Sequence, residues 1–280
     1  MTRVAFQGEL GAFSEEAVRR FFGADAEPVP QREFADVGRA VADGATAFGV
    51  LPVENTLAGS VVAAYDVLAA EELCIVGEVI VPIHHCVLGL PGASVQGLRR
   101  VISHPVALAQ CGRWMRAHPA LEAVAVYDTA GAAKQVAQQR EPTLAAVAAR
   151  AAAARYGLAL LAENVEDRPD NQTRFLVIVP AGHDAPPLPP ARAAAAMQTT
   201  LLLETENTPG ALVRVLAPFA ARGINLCKLE SRPTGEPWTY RFFLELDADA
   251  TAPAAAEALR EVEARALRLR RLGTYPRGAA

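Results

Sequence analysis

Asn171-Gln172-Thr173-Arg174-Phe175-Leu176-Val177-Ile178-Val179 places an amide, a hydroxyl and a guanidinium at the mouth of an otherwise apolar strand. A strand end that sets Thr173 beside Arg174 offers a neutral hydrogen-bond donor next to a fixed cation, a pairing suited to a small carboxylated ligand. The same residues admit a plainer reading. Asn171 then closes a turn after Pro169-Asp170, Thr173 favours the strand, and Arg174 is a solvated edge charge.

Upstream, short apolar runs alternate with amphipathic helical patterns, the signature of an α/β domain. Val4-Ala5-Phe6 reads as a strand, and Ser14 reads as the cap of a helix opening on Glu15-Glu16. A helix over Ala35 to Asp43, a strand over Phe48 to Val53 and a helix carrying Val61, Val62, Tyr65, Leu68 and Ala69 on one face follow. Cys74 to Val81 and Cys86 to Leu90 read as strands separated by Pro82 and His84-His85; adjacent residues of an extended segment point oppositely, so the two histidines do not chelate one ion together. Strand-to-helix units then recur at Val101-Ile102, at Ala123 to Val126 and at Leu144 to Val147.

Three of these junctions carry polar residues: Glu54-Asn55-Thr56, Ser103-His104-Pro105 and Asp128-Thr129. In an open α/β sheet the ligand crevice lies beyond the carboxyl ends of the strands, where helix N-termini present free N–H groups to anions. Each junction alone is explained as an N-cap; three together with Asn171 to Arg174 point to a site. No G-x-G-x-x-G opens a helix after a strand and no Walker loop is present, so a nucleotide cofactor has no support.

The 280 residues exceed one typical domain of about 100–200. A net charge of −4 argues against a generally basic nucleic-acid surface, and Arg265, Arg268, Arg270 and Arg271 alternate with leucines as a solvated face would. Cys74, Cys86, Cys111 and Cys227 lack metal-site spacing and read as thiols of a reducing compartment. The opening strand has no charged leader or cleavage site before it, and Arg150 and Arg155 interrupt the most apolar stretch, so neither a signal peptide nor a membrane span is expected and the location expected is cytoplasmic.

Five prolines between Pro180 and Pro190 mark a linker, assigned to 181–197. Beyond it, strands at Thr199 to Thr205, Ile224 to Ser231, Thr239 to Leu246 and Arg268 to Tyr275, with helices around Leu212 to Phe219 and Ala254 to Ala266, give the ferredoxin-like order β-α-β-β-α-β. A module of this size on a linker is a regulatory or dimerisation unit.

These polar stations carry a resemblance to a known family. Phe6-Gln7-Gly8 with Gly11-Ala12-Phe13-Ser14, Pro52-Val53-Glu54-Asn55-Thr56 with Gly59-Ser60, His104-Pro105 with Ala107 to Cys111, Asp128 to Ala133, and Asn171 with Thr173-Arg174-Phe175 occur in one order. Gly210-Ala211-Leu212, Asn225-Leu226 and Glu230-Ser231-Arg232-Pro233 follow. The chain resembles prephenate dehydratase with a C-terminal ACT domain over nearly its whole length. Thr56 stands where the family usually has Ser, and Val106 where it usually has Gln.

The resemblance implies an α/β fold: a two-lobed, periplasmic-binding-protein-like catalytic domain over 1–180 and an ACT domain over 198–280. Lobe one would combine 1–78 and 158–180, and lobe two 79–157. It implies conversion of prephenate to phenylpyruvate without metal or organic cofactor, phenylalanine as allosteric effector, and a homodimer or homotetramer; a start at the first strand implies no fused chorismate mutase domain. Thr173 would be catalytic, with Glu54, His104 or an ordered water completing a proton relay. Arg174 would hold the pyruvyl carboxylate, with Asn55, Thr56, Ser60, Thr129, Asn171 and Phe175 as further substrate contacts. Gly210, Ala211, Leu212, Asn225, Leu226, Glu230 and Ser231 would bind phenylalanine. Arogenate as substrate, or a non-catalytic amino-acid sensor, are the alternatives.

Overall fold

The computed structural model describes residues 1–182 and 196–278. Residues 183–195, most of the expected linker, lie outside the described residues. In chain order the first part runs β1 (Thr2–Gln7), α1 (Phe13–Phe22), β2 (Ala26–Gln31), α2 (Phe34–Ala42), β3 (Phe48–Asn55), β4 (Gly59–Ser60), α3 (Val62–Ala70) and β5 (Leu73–Pro82). It continues through β6 (Cys86–Gly89), β7 (Arg100–Ser103), α4 (Pro105–Gln110), α5 (Gly112–Ala117), β8 (Glu122–Ala125), α6 (Thr129–Gln139), β9 (Leu144–Ala148), α7 (Arg150–Tyr156), β10 (Ala159–Ala162) and β11 (Gln172–Pro180).

Two sheets result, ordered β2-β1-β3-β11-β5, with β4 on β3, and β10-β6-β9-β7-β8. The chain crosses between them after Pro82 and returns between β10 and β11. The lobe boundaries therefore differ from those implied above: 79–82 continue β5 in the first sheet, and 159–162 form β10 in the second. Hydrogen bonding to β11 and to β6 decides this, and neither partnership is visible locally. β2 escapes the sequence pattern because Pro28 and Pro30 interrupt it; both are tolerated on a sheet edge, where a missing N–H faces solvent. Ser14 does not cap α1. The helix starts two residues earlier than expected, with Ala12 at the cap position and no side-chain cap.

The third unit holds β12 (Met197–Glu204), α8 (Ala211–Ala221), β13 (Leu226–Pro233), β14 (Tyr240–Leu246), α9 (Pro253–Glu263) and β15 (Arg268–Pro276), in sheet order β13-β14-β12-β15. Leu201, Leu203, Leu244 and Leu246 face α8 and α9. The opposite face, with Leu202, Phe243, Leu272 and Tyr275, joins Tyr65, Leu68 and Ile75 in one core that spans both domains. Tyr65 meets Phe243 edge-on at 4.9 Å, a geometry worth ~0.5–1.5 kcal/mol beyond the buried area. At Gly273 a Cβ would lie 2.0 Å from the Ile75 carbonyl oxygen, so β15 rests directly on the backbone of β5. The Arg270 guanidinium bonds the carbonyls of Leu68 and Glu71 at the end of α3, where the helix dipole favours a cation.

Candidate active site

The two lobes enclose a cleft of about 440 Å³. Strand register brings its polar groups together. β11 runs antiparallel to β3 with Thr173 opposite Asn55 and Arg174 opposite Glu54, so each pair shares one face of the sheet. Thr173 and Asn55 take the cleft face. From the other lobe, the ends of β7 and β8 deliver His104, Asp128 and Thr129 and the last residue of α4 is Gln110, while Phe13, Phe34 and Ile83 supply apolar wall.

A closed chain of amide hydrogen bonds sets the direction of the Thr173 proton. Asn55 Nδ2 donates one hydrogen to Asn171 Oδ1 at 2.8 Å and shares the other between Thr173 Oγ1 and the Gln172 carbonyl, both at 3.0 Å. Asn55 Oδ1 accepts from the Leu57 and Ala58 N–H groups and from Gln110 Nε2 at 3.2 Å, which fixes its amide orientation. Gln110 Oε1 accepts from Asn171 Nδ2 and faces His85 Nε2, both at 3.0 Å, so the His85 proton sits on Nε2. Burial lowers the His85 pKa against the opposing Gln110 bond and Glu166 charge, keeping the ring neutral. With Thr173 Oγ1 already accepting, its O–H has no acceptor among the described residues and is free to donate into the cleft.

His104 caps α4: its Nδ1 accepts from the Val106 N–H at 3.2 Å, leaving the proton on Nε2. Burial lowers its pKa, partly opposed by Asp128. Asp128 caps α6 by accepting from the Gly131 N–H, and its Oδ2 is buried with no partner among the described residues. His84 turns to Glu166 at 2.8 Å, away from the partner of His85, and no group of His, Cys, Asp and Glu able to hold a metal occurs among the described residues.

Arg174, expected to hold the substrate carboxylate, does not reach the cleft. Its guanidinium bonds Glu245 twice at 2.7 Å, Glu78 at 3.0 Å and Glu54 at 3.1 Å, in the seam against the ACT sheet. Burial works against its charge, but Glu245 and Glu78 outweigh burial and hold it protonated. Glu54 lies in the same seam with Lys228 at 2.8 Å. Burial raises its pKa, but Lys228 and Arg174 outweigh this and bring it below the usual range, so it is an ionised partner rather than a proton donor. Thr56 ties the approach to β11, bonding the Asp170 carbonyl and the Gln172 N–H outside the cleft. Phe175 is core, 2 % exposed, in the cluster beneath α1. Asn171 is fully buried and acts on its neighbours' amides.

Ser60 lines the cleft yet donates to Glu230 of the ACT domain at 2.6 Å and receives Lys228 at 3.3 Å. The remaining ACT residues singled out from sequence fall into two groups. Gly210, at φ 77°, precedes α8, where Ala211 borders a second cavity of about 440 Å³ beside Arg214 and Arg265 and Leu212 packs on the core. On the other side, Leu226 packs inward, Asn225 holds Asp247 at 2.6 Å, and Ser231 is exposed on the edge strand β13. Gln110 and His85 were not among the expected site residues. Gln110 lies within the matched run Ala107 to Cys111, and His85 had a sequence signal only as half of a histidine pair.

The family model described as "Prephenate dehydratase" matches residues 4–182, and the one described as "ACT domain" matches 199–264. The chain belongs to the prephenate dehydratase family. An Arabidopsis thaliana protein named "Arogenate dehydratase/prephenate dehydratase 2, chloroplastic" is 40 % identical over 284 residues, covering 98 % of this chain and 72 % of that protein. The structure of a prephenate dehydratase from Arthrobacter aurescens in complex with L-Phe superposes with a TM-score of 0.89 at 33 % identity, covering 99 % of this chain and 90 % of the other. A structure described as a quorum-quenching acylase, GqqA, superposes with a TM-score of 0.88 at 35 % identity, covering 99 % and 98 %.

Proposed function

We propose that this chain converts prephenate to phenylpyruvate, water and carbon dioxide in phenylalanine biosynthesis, with phenylalanine acting back through the ACT domain. The observation that carries the reading is the Thr173 hydroxyl, held as an acceptor by Asn55 so that its proton is directed into the interlobe cleft. As the bond from ring to carboxylate breaks, its electron pair enters the ring and expels hydroxide from the opposite carbon; one proton, ultimately from solvent, completes the water. Thr173 stabilises the departing oxygen by a hydrogen bond that the Asn55 donor polarises. His104 Nε2–H is a second donor from the facing lobe. Thr129 and Ser60 add further hydroxyls to the lining.

The experiment is direct: purified protein with prephenate, followed by phenylpyruvate absorbance in alkali. Absence of phenylpyruvate refutes the reading. Arogenate is the second reading, favoured by one observation. Asp128 lines the cleft without an arginine or lysine partner among the described residues, and a carboxylate there suits the ammonium of arogenate. Comparing kcat/KM on the two substrates separates them.

Assembly as a homodimer or homotetramer in the cytoplasm belongs to the same proposal. It is supported by β13, a sheet edge carrying exposed Leu229 and Ser231 beside Glu230. No helix among the described residues is long and apolar enough to cross a membrane. Light scattering with and without phenylalanine tests the assembly.

A further inference from the structure

The substrate proposed above carries two carboxylates, yet among the described residues no lysine or arginine lines the cleft. Arg174 is committed to the ACT seam. The charge must therefore be met by neutral donors. Five helices begin at the cleft; α2 is closed by the Glu33–Asp36 capping box, and the first turn of α3, Val62 to Ala64, brings no polar side chain. α4 spends its Val106 N–H on His104 and has only six residues. α6 begins on the Asp128 carboxylate, which repels an anion. α1, ten residues long, has no side-chain cap, and among the described residues no acceptor takes the N–H groups of Phe13, Ser14 or Glu15.

A second observation lies at the same place. Ser14 is 8 % exposed, lines the cleft, and has no hydrogen-bond partner for its hydroxyl among the described residues. Glu15, the nearest carboxylate on the helix, is turned back onto the Gly11 N–H at 2.7 Å and toward Arg19. The loop that enters α1 is fixed to the opposite lobe. Tyr156 donates to the Leu10 carbonyl at 2.7 Å, Lys134 pairs with Glu9 at 2.9 Å, and Gly11, at φ 91°, lies where a Cβ would come within 2.9 Å of Ala152 Cα. The start of α1 is thus a pre-positioned, uncapped set of donors with a free hydroxyl among them.

We infer that Ser14, with the free N–H groups of the first turn of α1, is the subsite for the pyruvyl carboxylate of the substrate. The inference rests on the prephenate reading. The pyruvyl carboxylate is chosen because tight binding of the ring carboxylate would stabilise the ground state against its loss.

The test uses Ser14→Ala and Ser14→Thr in the full chain, with prephenate kinetics and phenylpyruvate as product inhibitor. Phenylpyruvate keeps only the pyruvyl carboxylate, so it reports on this subsite alone. Loss of a hydrogen bond to a charged group sets the scale: in Ser14→Ala, KM for prephenate and Ki for phenylpyruvate both rise about tenfold, with kcat retained and Ser14→Thr restoring both. An unchanged KM, a raised KM with unchanged Ki, or a fall in kcat alone overturns the assignment. If the native chain does not turn over prephenate, the functional reading fails separately, and calorimetry of phenylpyruvate on native and Ser14→Ala protein still decides the subsite.

Discussion

The Arg174 guanidinium grips the Glu245 carboxylate through two hydrogen bonds of 2.7 Å, joining the strand that carries Thr173 to the centre of the ACT sheet. Glu245 is 2 % exposed and is also held by Gln198 at 2.8 Å. Breaking a buried pair from one side leaves the other charge unpaired, at a cost of about 3–5 kcal/mol. Arg174→Ala, which strands Glu78 and Glu245 together, is expected to lower the unfolding free energy by about that amount. Denaturant melts of Arg174→Ala, Glu245→Gln and the double variant check this; additive losses would show that the pair is not coupled.

In the cleft, Thr173→Val removes the free O–H while keeping the shape of the side chain. We expect kcat to fall by about 10²–10⁴ with KM little changed. Gln110→Ala removes the bond that orients Asn55 and should lower kcat in the same direction by less. Steady-state kinetics on both variants test the assignment, and a loss confined to KM would count against it.

Acid sensitivity follows from the histidines. His85 and His104 are held below the ordinary value of 6.5, chiefly by burial, so the unfolded chain binds more protons than the folded one. The stability they contribute is complete above 6.5 and is lost as the pH falls through their folded values. Glu78 acts oppositely: burial raises it above 4.5 despite Arg174, so its contribution declines as the pH rises from 4.5 through the raised value. Midpoints of unfolding measured across this range should slope less steeply below pH 6.5 in His85→Gln than in the native chain.

For regulation, the bond from Ser60 to Glu230 links the cleft lining directly to the ACT edge strand. Glu230→Ala should abolish inhibition by phenylalanine while unregulated turnover persists. Inhibition curves with and without the substitution test this, and an unaltered curve would place the effector elsewhere.

Much of the fold was legible because its causes are local. Short apolar runs such as Val101-Ile102 and Leu176 to Val179, and the stripe of Leu212, Val215 and Phe219, report burial within a few residues. β2 was missed because Pro28 and Pro30 look like breakers until the strand is known to lie on an edge. The site was half legible. The alternation that separates His84 from His85 also separates Thr173 from Arg174 and Asn55 from Glu54, so one member of each pair had to leave the cleft. Which member leaves depends on what covers each face of the sheet.

Most of the order of elements, though not β2 or β10, the division into an α/β part and a β-α-β-β-α-β part, and the family follow from the sequence by itself, since they rest on residue periodicity and on polar runs contiguous along the chain. Only the tertiary structure decided that Arg174 and Glu54 bind the ACT domain, that Gln110 and His85 orient Asn55, and that the first turn of α1 opens onto the cleft. These depend on register and domain docking between segments up to about 170 residues apart, where a carboxylate such as Glu245 competes successfully for a cation that the neighbouring threonine made look like a substrate ligand.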